Sequence, residues 1–326
     1  MDNRYSAIIK VLGFERTVDV QQRISIADVF PKSRNRHGIY LLVFSDGLFY
    51  IGKTNNFVKR FTQHKKNHPD IIEFYYQLCR RKDLDSKEQE LIHQAQSLGL
   101  PLTNIVHVSS VLGETDLDLI FSEKEQTLWL DNNLVDMNKN LRVNNGEQRL
   151  RYRHKYEKFR AYPEFEAVTE LLHLYVQTCI PVPHRTELTF WSASCLPSTN
   201  ANTYPRFSCI SINTMETFVV GYVKSARSEL WMFMIVSEQA FRKGYPRDKK
   251  FTRLYPSAYI SKSNYQAAGP DQLSIEFDKL EEMIKALRQK PVQYAAKVIN
   301  LRLMRKGATI QHRYHCFDLA DRLLAF

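Results

Sequence analysis

HGIYLLVFSDGLFYIGKTNNFVKRFTQHKK (residues 37–66) carries one triplet twice, forward as Gly38-Ile39-Tyr40 and reversed as Tyr50-Ile51-Gly52. Ile39 to Phe44 predicts a strand and Leu48 to Lys53 a returning one, because Asp-Gly between apolar runs is a strong hairpin signal. Two turns are open, and they treat the tyrosines differently. A two-residue Asp46-Gly47 loop pairs Tyr40 with Lys53 and leaves Tyr50 on the opposite face. A three-residue loop, Ser45-Asp46-Gly47 with Gly47 left-handed, pairs Tyr40 with Gly52 and Leu42 with Tyr50. Only the second puts both phenols on one side, since alternate strand residues share a face. Glycine permits the positive φ it requires.

Downstream, Asn55 or Asn56 caps a helix bearing Phe57 and Phe61 at i, i+4 spacing. Arg60 and His64 share a second strip of that helix, also one turn apart. Residues 71–79 (IIEFYYQLC) predict a third strand. Ser86 with Gln89 predicts a capping box opening another helix, which Gly99 and Pro101 stop. On that helix Leu91, Ile92, Ala95 and Leu98 form an apolar stripe, with Glu88 pointing into it and Glu90 away. An inward carboxylate needs a cation or a metal as partner.

Each of these residues has an ordinary use as well. Tyrosine favours strands, Arg60 stands among Lys59, Lys65 and Lys66, and a lone histidine is commonly a surface group. Glu88 serves a helix N-terminus well, and Asn104 suits a turn. Jointly, however, the two triplets, Arg60-x-x-x-His64, Lys53, Glu88 and Asn104 resemble the catalytic domain of the GIY-YIG nuclease superfamily over roughly residues 36–106. The resemblance implies catalytic Tyr40, Tyr50, Arg60, His64, Glu88, Lys53 and Asn104, with Glu88 holding Mg²⁺ (or Mn²⁺) and Tyr40 accepting the proton of the attacking water. It also implies a small three-stranded, mixed or antiparallel sheet flanked by helices. A second region, SEKEQTLWLDN with Glu125, Asn138 and Asn140, also fits the family's glutamate pattern and stays as the fallback.

Phosphodiester hydrolysis makes sense of these residue types. It needs a positioned water, a route for its proton and positive charge near phosphorus. Among family roles, the chain lacks the cysteine spacing of the structure-specific eukaryotic type. It also lacks the second nuclease half and helix-hairpin-helix elements of the excision-repair type, and the long linker of homing enzymes. By elimination the resemblance implies a restriction-type or phage-defence DNA endonuclease. A repair or mobile-element nuclease, and an inactive nucleic-acid-binding protein on a nuclease fold, are the alternatives.

The bulk properties agree with a polyanionic partner. The chain has 326 residues and a net charge of +11, and excess Lys/Arg favours phosphate contacts through counterion release. No apolar run is long enough to span a membrane, no signal peptide is read at the start, and five scattered cysteines without a C-x-x-C pair fit a reducing cytoplasm. The partner expected is DNA, with no membrane; a homodimer is one assembly this reading allows.

The expected organisation is an N-terminal arm (1–30), the nuclease domain (31–107), a helical, basic connector (108–162) and an α+β accessory domain (163–326) for DNA binding or target recognition. In the arm, 6–12 and 23–29 predict short strands or a short helical prelude. The connector includes a helix around EKEQTLWLDNNL. In the last part ELTFW, RFSCISI, TFVVGYV and ELWMFMIV predict strands, and helices are expected near 272–289, 291–306 and 316–325. Two basic clusters are candidate nucleic-acid contacts. One is 142–160, with seven Lys/Arg against two Glu, including Arg149, Arg151 and Arg153. The other is RKGYPRDKKFTR (242–253), with Lys249, Lys250 and Arg253 and with Tyr245 and Phe251 interleaved as rings for base stacking.

Overall fold

The computed structural model describes residues 3–132, 142 and 145–325. The chain is α+β and divides into two compact units, Met1–Gly113 and Glu114–Phe326.

The first unit contains α1 (Asn3–Val11), β1 (Arg16–Asp19), β2 (Gly38–Phe44), β3 (Phe49–Thr54), α2 (Phe57–Asn67), β4 (Ile71–Leu78) and α3 (Leu84–Ser97). Its sheet is antiparallel and four-stranded, in the order β1-β4-β2-β3. The fourth strand, β1, is the short polar run RTVD, too brief for a period-2 signal. Within the predicted arm, 6–12 lies largely in α1, whereas 23–29 forms turns that bury Ile26.

The sheet is the middle layer. Ile39, Leu41, Val43, Phe49 and Ile51 pack with Ile9, Leu12, Leu84, Leu91, Ile92 and Ala95 on one side. Tyr40, Leu42, Phe44, Phe74 and Tyr76 pack with Phe57, Phe61, Val20, Ile26 and Phe30 on the other. Every residue of β2 is buried, as expected of a strand covered on both faces, which reads as an apolar run rather than an alternation. Asn56 caps α2 by accepting from the Lys59 amide. The predicted capping box on the next helix does not form. A 3₁₀ turn at Arg81–Asp83 runs into α3 two residues early, so Ser86 lies inside the first turn and donates to the Asp83 carbonyl. Leu98, the helix cap, stays 39% exposed, and Leu84 takes its place in the apolar stripe.

The second unit has a six-stranded antiparallel sheet in the order β5-β6-β7-β8-β10-β9. The strands are β5 (Trp191–Cys195), β6 (Arg206–Ile212), β7 (Met215–Val223), β8 (Ala226–Val236), β9 (Ala258–Lys262) and β10 (Leu273–Phe277). Around it lie α4 (Glu123–Leu130), α5 (Gly146–Arg160), α6 (Phe165–Cys179), α7 (Pro183–Thr186), α8 (Glu238–Gly244), α9 (Asp248–Leu254), α10 (Leu280–Leu287), α11 (Lys290–Arg305) and α12 (Phe317–Leu324).

RFSCISI coincides with β6, and TFVVGYV and ELWMFMIV fall within β7 and β8. ELTFW contributes only Trp191 to a strand, because Leu188 sits at φ +66° and breaks the extended run. The helix expected over 272–289 begins as a strand instead. Leu273, Ile275 and Phe277 are buried at period 2, and the helix starts only at Leu280. No helix among the described residues is long and apolar enough to cross a membrane, and the five cysteines are unpaired.

Candidate active site

The hairpin takes the three-residue turn. Phe44 and Leu48 close it through the Phe44 amide and the Leu48 carbonyl, and Gly47 lies at φ +83°. Tyr40 therefore pairs with Gly52 and Leu42 with Tyr50, and the two rings share a face with centroids 6.1 Å apart. Phe74 on β4 stacks on Tyr40 at 5.7 Å with an interplanar angle of 8°, which fixes the phenol from behind.

α2 crosses this face and delivers Arg60 and His64 to the same hydroxyl. Arg60 Nε donates to the Tyr40 oxygen at 3.0 Å, and that oxygen lies 2.8 Å from His64 Nε2. Burial, then the Arg60 and His68 charges, depress the His64 pKa to about 4. The ring is neutral near pH 7, and in the tautomer protonated at Nδ1 its Nε2 can accept from the Tyr40 hydroxyl, whose oxygen accepts from Arg60. Burial, then the Tyr50 phenol, raise the Tyr40 pKa well above the ordinary phenol range, and the Arg60 hydrogen bond offsets only part of this. The Arg60 pKa is itself raised, first by that hydrogen bond.

Glu88 arrives from α3, on the other layer, at the outer edge of β3. Its side chain is 13% exposed. Lys53 donates to it twice, from the backbone amide at 3.1 Å and from Nζ at 2.7 Å. The ammonium also pairs with Asp85 at 2.5 Å. Burial alone would lower the Lys53 pKa, but the hydrogen bonds to Asp85 and Glu88 prevail and raise it. The Asp85 pKa is lowered in turn, first by the Lys53 hydrogen bond.

Asn104 meets the same edge, donating to the Ile51 carbonyl at 2.7 Å and accepting from the Ile51 amide at 3.0 Å. The Phe49 amide and carbonyl bond to Pro101 and Thr103. Phe49, Ile51 and Lys53 are thus all engaged along one edge, which closes β3 to a further strand and holds the second triplet straight.

Three signals escaped the sequence reading. A Cβ on Gly52 would lie 2.5 Å from the Tyr40 hydroxyl and 2.8 Å from a Tyr50 ring carbon, so this glycine is the floor against which both phenols rest. A Cβ on Gly38 would lie 2.0 Å from the Gln77 carbonyl, so the first glycine serves the β2–β4 approach. Both were visible as glycines inside apolar strands, a pattern that marks close backbone approach. Asp85, three residues before Glu88 on its helix, was the third.

The fallback carboxylate has another task. Glu125 closes a capping box with Ser122 at the start of α4 and pairs with Arg185 at 3.1 Å; Asn138 and Asn140 lie outside the described residues. The basic clusters divide. Arg149 is committed to Asp318 and Asp321 at 2.6 and 2.5 Å, so its guanidinium is neutralised within the unit rather than offered to phosphate. Arg153 lies 3.6 Å from Asp318 and remains half exposed, and Arg151 is exposed. Lys249, Lys250 and Arg253 are exposed on α9. The stacking rings expected beside them are not available. Tyr245 and Phe251 are buried, 4.9 Å apart, in a cluster with Phe241, Tyr255 and Phe277, because the turn between α8 and α9 folds its apolar side inward.

The donor set was tested against a divalent ion. No group of three or more His, Cys, Asp or Glu residues converges among the described residues, so a cage made wholly of protein ligands is not present. Glu88 and Asp85 nevertheless share one cation, the Lys53 ammonium, and carboxylate oxygens suit a hard ion. Mg²⁺ in phosphoryl sites typically takes one or two carboxylates and leaves its other positions to water and substrate oxygens. The residues fit that mode, with Glu88 as the protein ligand.

Buried Tyr40 and half-buried Tyr50 thus stand with Arg60 and His64 on one face of the sheet, and Glu88 is held by Lys53 at its edge. In line with that, residues 36–97 match the GIY-YIG catalytic domain family. The first unit therefore carries a nuclease domain of the GIY-YIG type, a class that generally uses divalent metal ions. Asn104 lies beyond the matched segment. In the comparisons with curated proteins and with solved structures, nothing matches.

Proposed function

We propose that this chain is a metal-dependent DNA endonuclease of restriction or phage-defence type, cytoplasmic, with the second unit supplying DNA grip and target choice. The observation that carries the reading is the hydrogen-bonded set Arg60–Tyr40–His64, resting on Gly52, with Glu88 bound at the very next residue, Lys53.

In this reading the water that attacks phosphorus gives its proton to the Tyr40 oxygen as the Tyr40 proton passes to His64 Nε2. The paired transfer suits a phenol whose burial opposes a free phenolate. A new P–O bond forms, the bond to the leaving oxygen breaks with its electron pair going to that oxygen, and the oxygen takes up a proton from solvent to leave as a hydroxyl. Arg60 presents its remaining N–H groups to the non-bridging oxygens, where charge develops. Tyr50 orients the water or phosphate from the same face. Glu88 would hold Mg²⁺ or Mn²⁺, which when bound would supply Lewis-acid charge for the developing negative oxygens. Lys53 aligns Glu88, and Asn104 keeps the Tyr50 strand in register. Lys249, Lys250, Arg253, Arg151 and Arg153 are the phosphate contacts offered by the second unit.

Incubation of the full chain with supercoiled plasmid, with Mg²⁺ or Mn²⁺ and with chelator, tests this. Nicked or linear product only with metal is expected. DNA that is bound but uncut under all metal conditions would favour an inactive binding module instead.

A further inference from the structure

We propose that a cavity on one face of β5 and β6, within the second unit, binds a nucleotide through its base and its phosphate. The cavity has a volume of about 400 Å³, within the ~300–1,000 Å³ range of small-molecule sites. Its floor follows from strand parity. Ser192 pairs with Ser211 and Ser194 with Cys209, so one face of these strands carries small polar groups. The opposite face carries Trp191, Ala193, Ile210 and Ile212, all in the core. A sheet face built of serines leaves the room that a layer of large side chains would fill.

The floor offers hydroxyl groups to a ligand. Ser192 and Ser211 are 2% and 5% exposed, and both line the cavity. A serine hydroxyl can donate and accept, so this floor suits a ligand edge that carries both donors and acceptors. Glu216, also in the lining, binds Arg206 through one carboxylate oxygen; its second oxygen can accept from an exocyclic amine or ring N–H.

The rim is cationic and aromatic. Tyr152 and Lys155 come from α5, and Arg313 and Tyr314 from the segment before α12. Tyr152 ties the two sides together by donating to the Arg313 carbonyl at 2.9 Å. Lys155 lies 5.9 Å from the Tyr152 ring centroid and Arg313 lies 4.9 Å from that of Tyr314. Two rings flanked by two cations, over a hydroxyl and carboxylate floor, match two parts of a nucleotide: the base, with its flat π-face and polar edge, and the phosphate. The nucleotide has two sources, a free mononucleotide or one turned out of a DNA strand.

The test uses the full chain in chelator, so that no cleavage intervenes and failure of the nuclease reading leaves the result intact. Calorimetric titrations with dAMP, dCMP, dGMP and dTMP, and with deoxyribose 5-phosphate as the baseless control, address the free source. A duplex carrying 2-aminopurine addresses the strand source. Saturable binding of at least one mononucleotide, or a rise in 2-aminopurine fluorescence, is expected. Lys155→Ala and Arg313→Ala, both at the rim, should each weaken it about ten-fold or more, and Ser211→Leu or the less buried Ser194→Leu should abolish it with the melting transition retained. Mononucleotide binding assigns the free source, and a fluorescence rise lost on Ser194→Leu assigns the strand source. No response in either arm, equal affinity for the baseless control, or unchanged binding in folded Ser211→Leu and Ser194→Leu chains would overturn the proposal.

Discussion

The Tyr40 hydroxyl sits between a cation and an imidazole, 3.0 Å from the Arg60 Nε that donates to it and 2.8 Å from His64 Nε2. The proposed relay requires a neutral imidazole, and the depressed His64 pKa of about 4 fits that requirement. The ring resonances of His64 in an NMR titration should move near pH 4 rather than near the ordinary 6.5. The sign for stability follows from linkage. As pH falls from about 6.5 toward 4 the unfolded chain takes up this proton first, so acidification over that window destabilises the fold. His64→Gln removes the titration and should narrow the stability difference between urea melts at pH 7 and pH 5. It should also lower cleavage by about 10²–10⁴-fold. A His64 that titrates near 6.5 would remove the basis of the relay.

Glu88→Gln keeps an acceptor for the Lys53 amide but loses the charge, so the fold should persist while cleavage falls by about 10²-fold or more. Added Mg²⁺ should not restore the rate. Glu125→Gln is the control: cleavage should continue, with the second unit losing about 1 kcal/mol from a weakened cap. The reverse pattern in a plasmid assay would transfer the metal role to Glu125.

The two signature glycines should fail differently. Gly52→Ala places a methyl group against both phenols, so cleavage should drop about 10²-fold from misplacement with the melting curve nearly unchanged. Gly38→Ala meets backbone, the Gln77 carbonyl, and should cost about 1–3 kcal/mol of stability. Thermal melts and cleavage rates measured together separate the two; equal stability losses would contradict the distinction.

Asn104→Ala strips both hydrogen bonds from Ile51 in a buried place and should cost about 1–3 kcal/mol in urea unfolding. Asn104→Asp retains only the acceptor and should leave the Ile51 carbonyl unsatisfied, giving a loss of similar sign. A fully stable Asn104→Ala chain would show that the β3 edge closes without it.

Neutralising Lys249, Lys250 and Arg253 together should weaken DNA binding and flatten the dependence of log K on log salt, by a slope of about 1 per phosphate contact removed. An unchanged slope would place the phosphate contacts elsewhere on the chain.

The hairpin was legible in the sequence, and so was the rule that only a three-residue turn gives Tyr40 and Tyr50 one face. Which of the two turns forms was settled by the structure, where Gly47 lies at φ +83° and Tyr40 pairs with Gly52. Parity along two strands joined by three residues leaves one register with both phenols together, and a single glycine permits the turn. The placement of Arg60 with His64, and the inward aim of Glu88, followed from the 100° step of a helix. These are local rules, acting over a few residues, and they hold before packing begins. What Glu88 would hold was not local. Its partner Lys53 is 35 residues away, Asn104 reaches Ile51 across 53, and Arg149 meets Asp321 across 172. The short polar β1 joins the sheet only because β4 offers it an open edge. Tyr245 and Phe251, read beside basic residues as rings facing DNA, were drawn inward by Phe241, Tyr255 and Phe277. Burial and choice of partner depend on which distant surfaces close on a residue, and only the tertiary structure decides that.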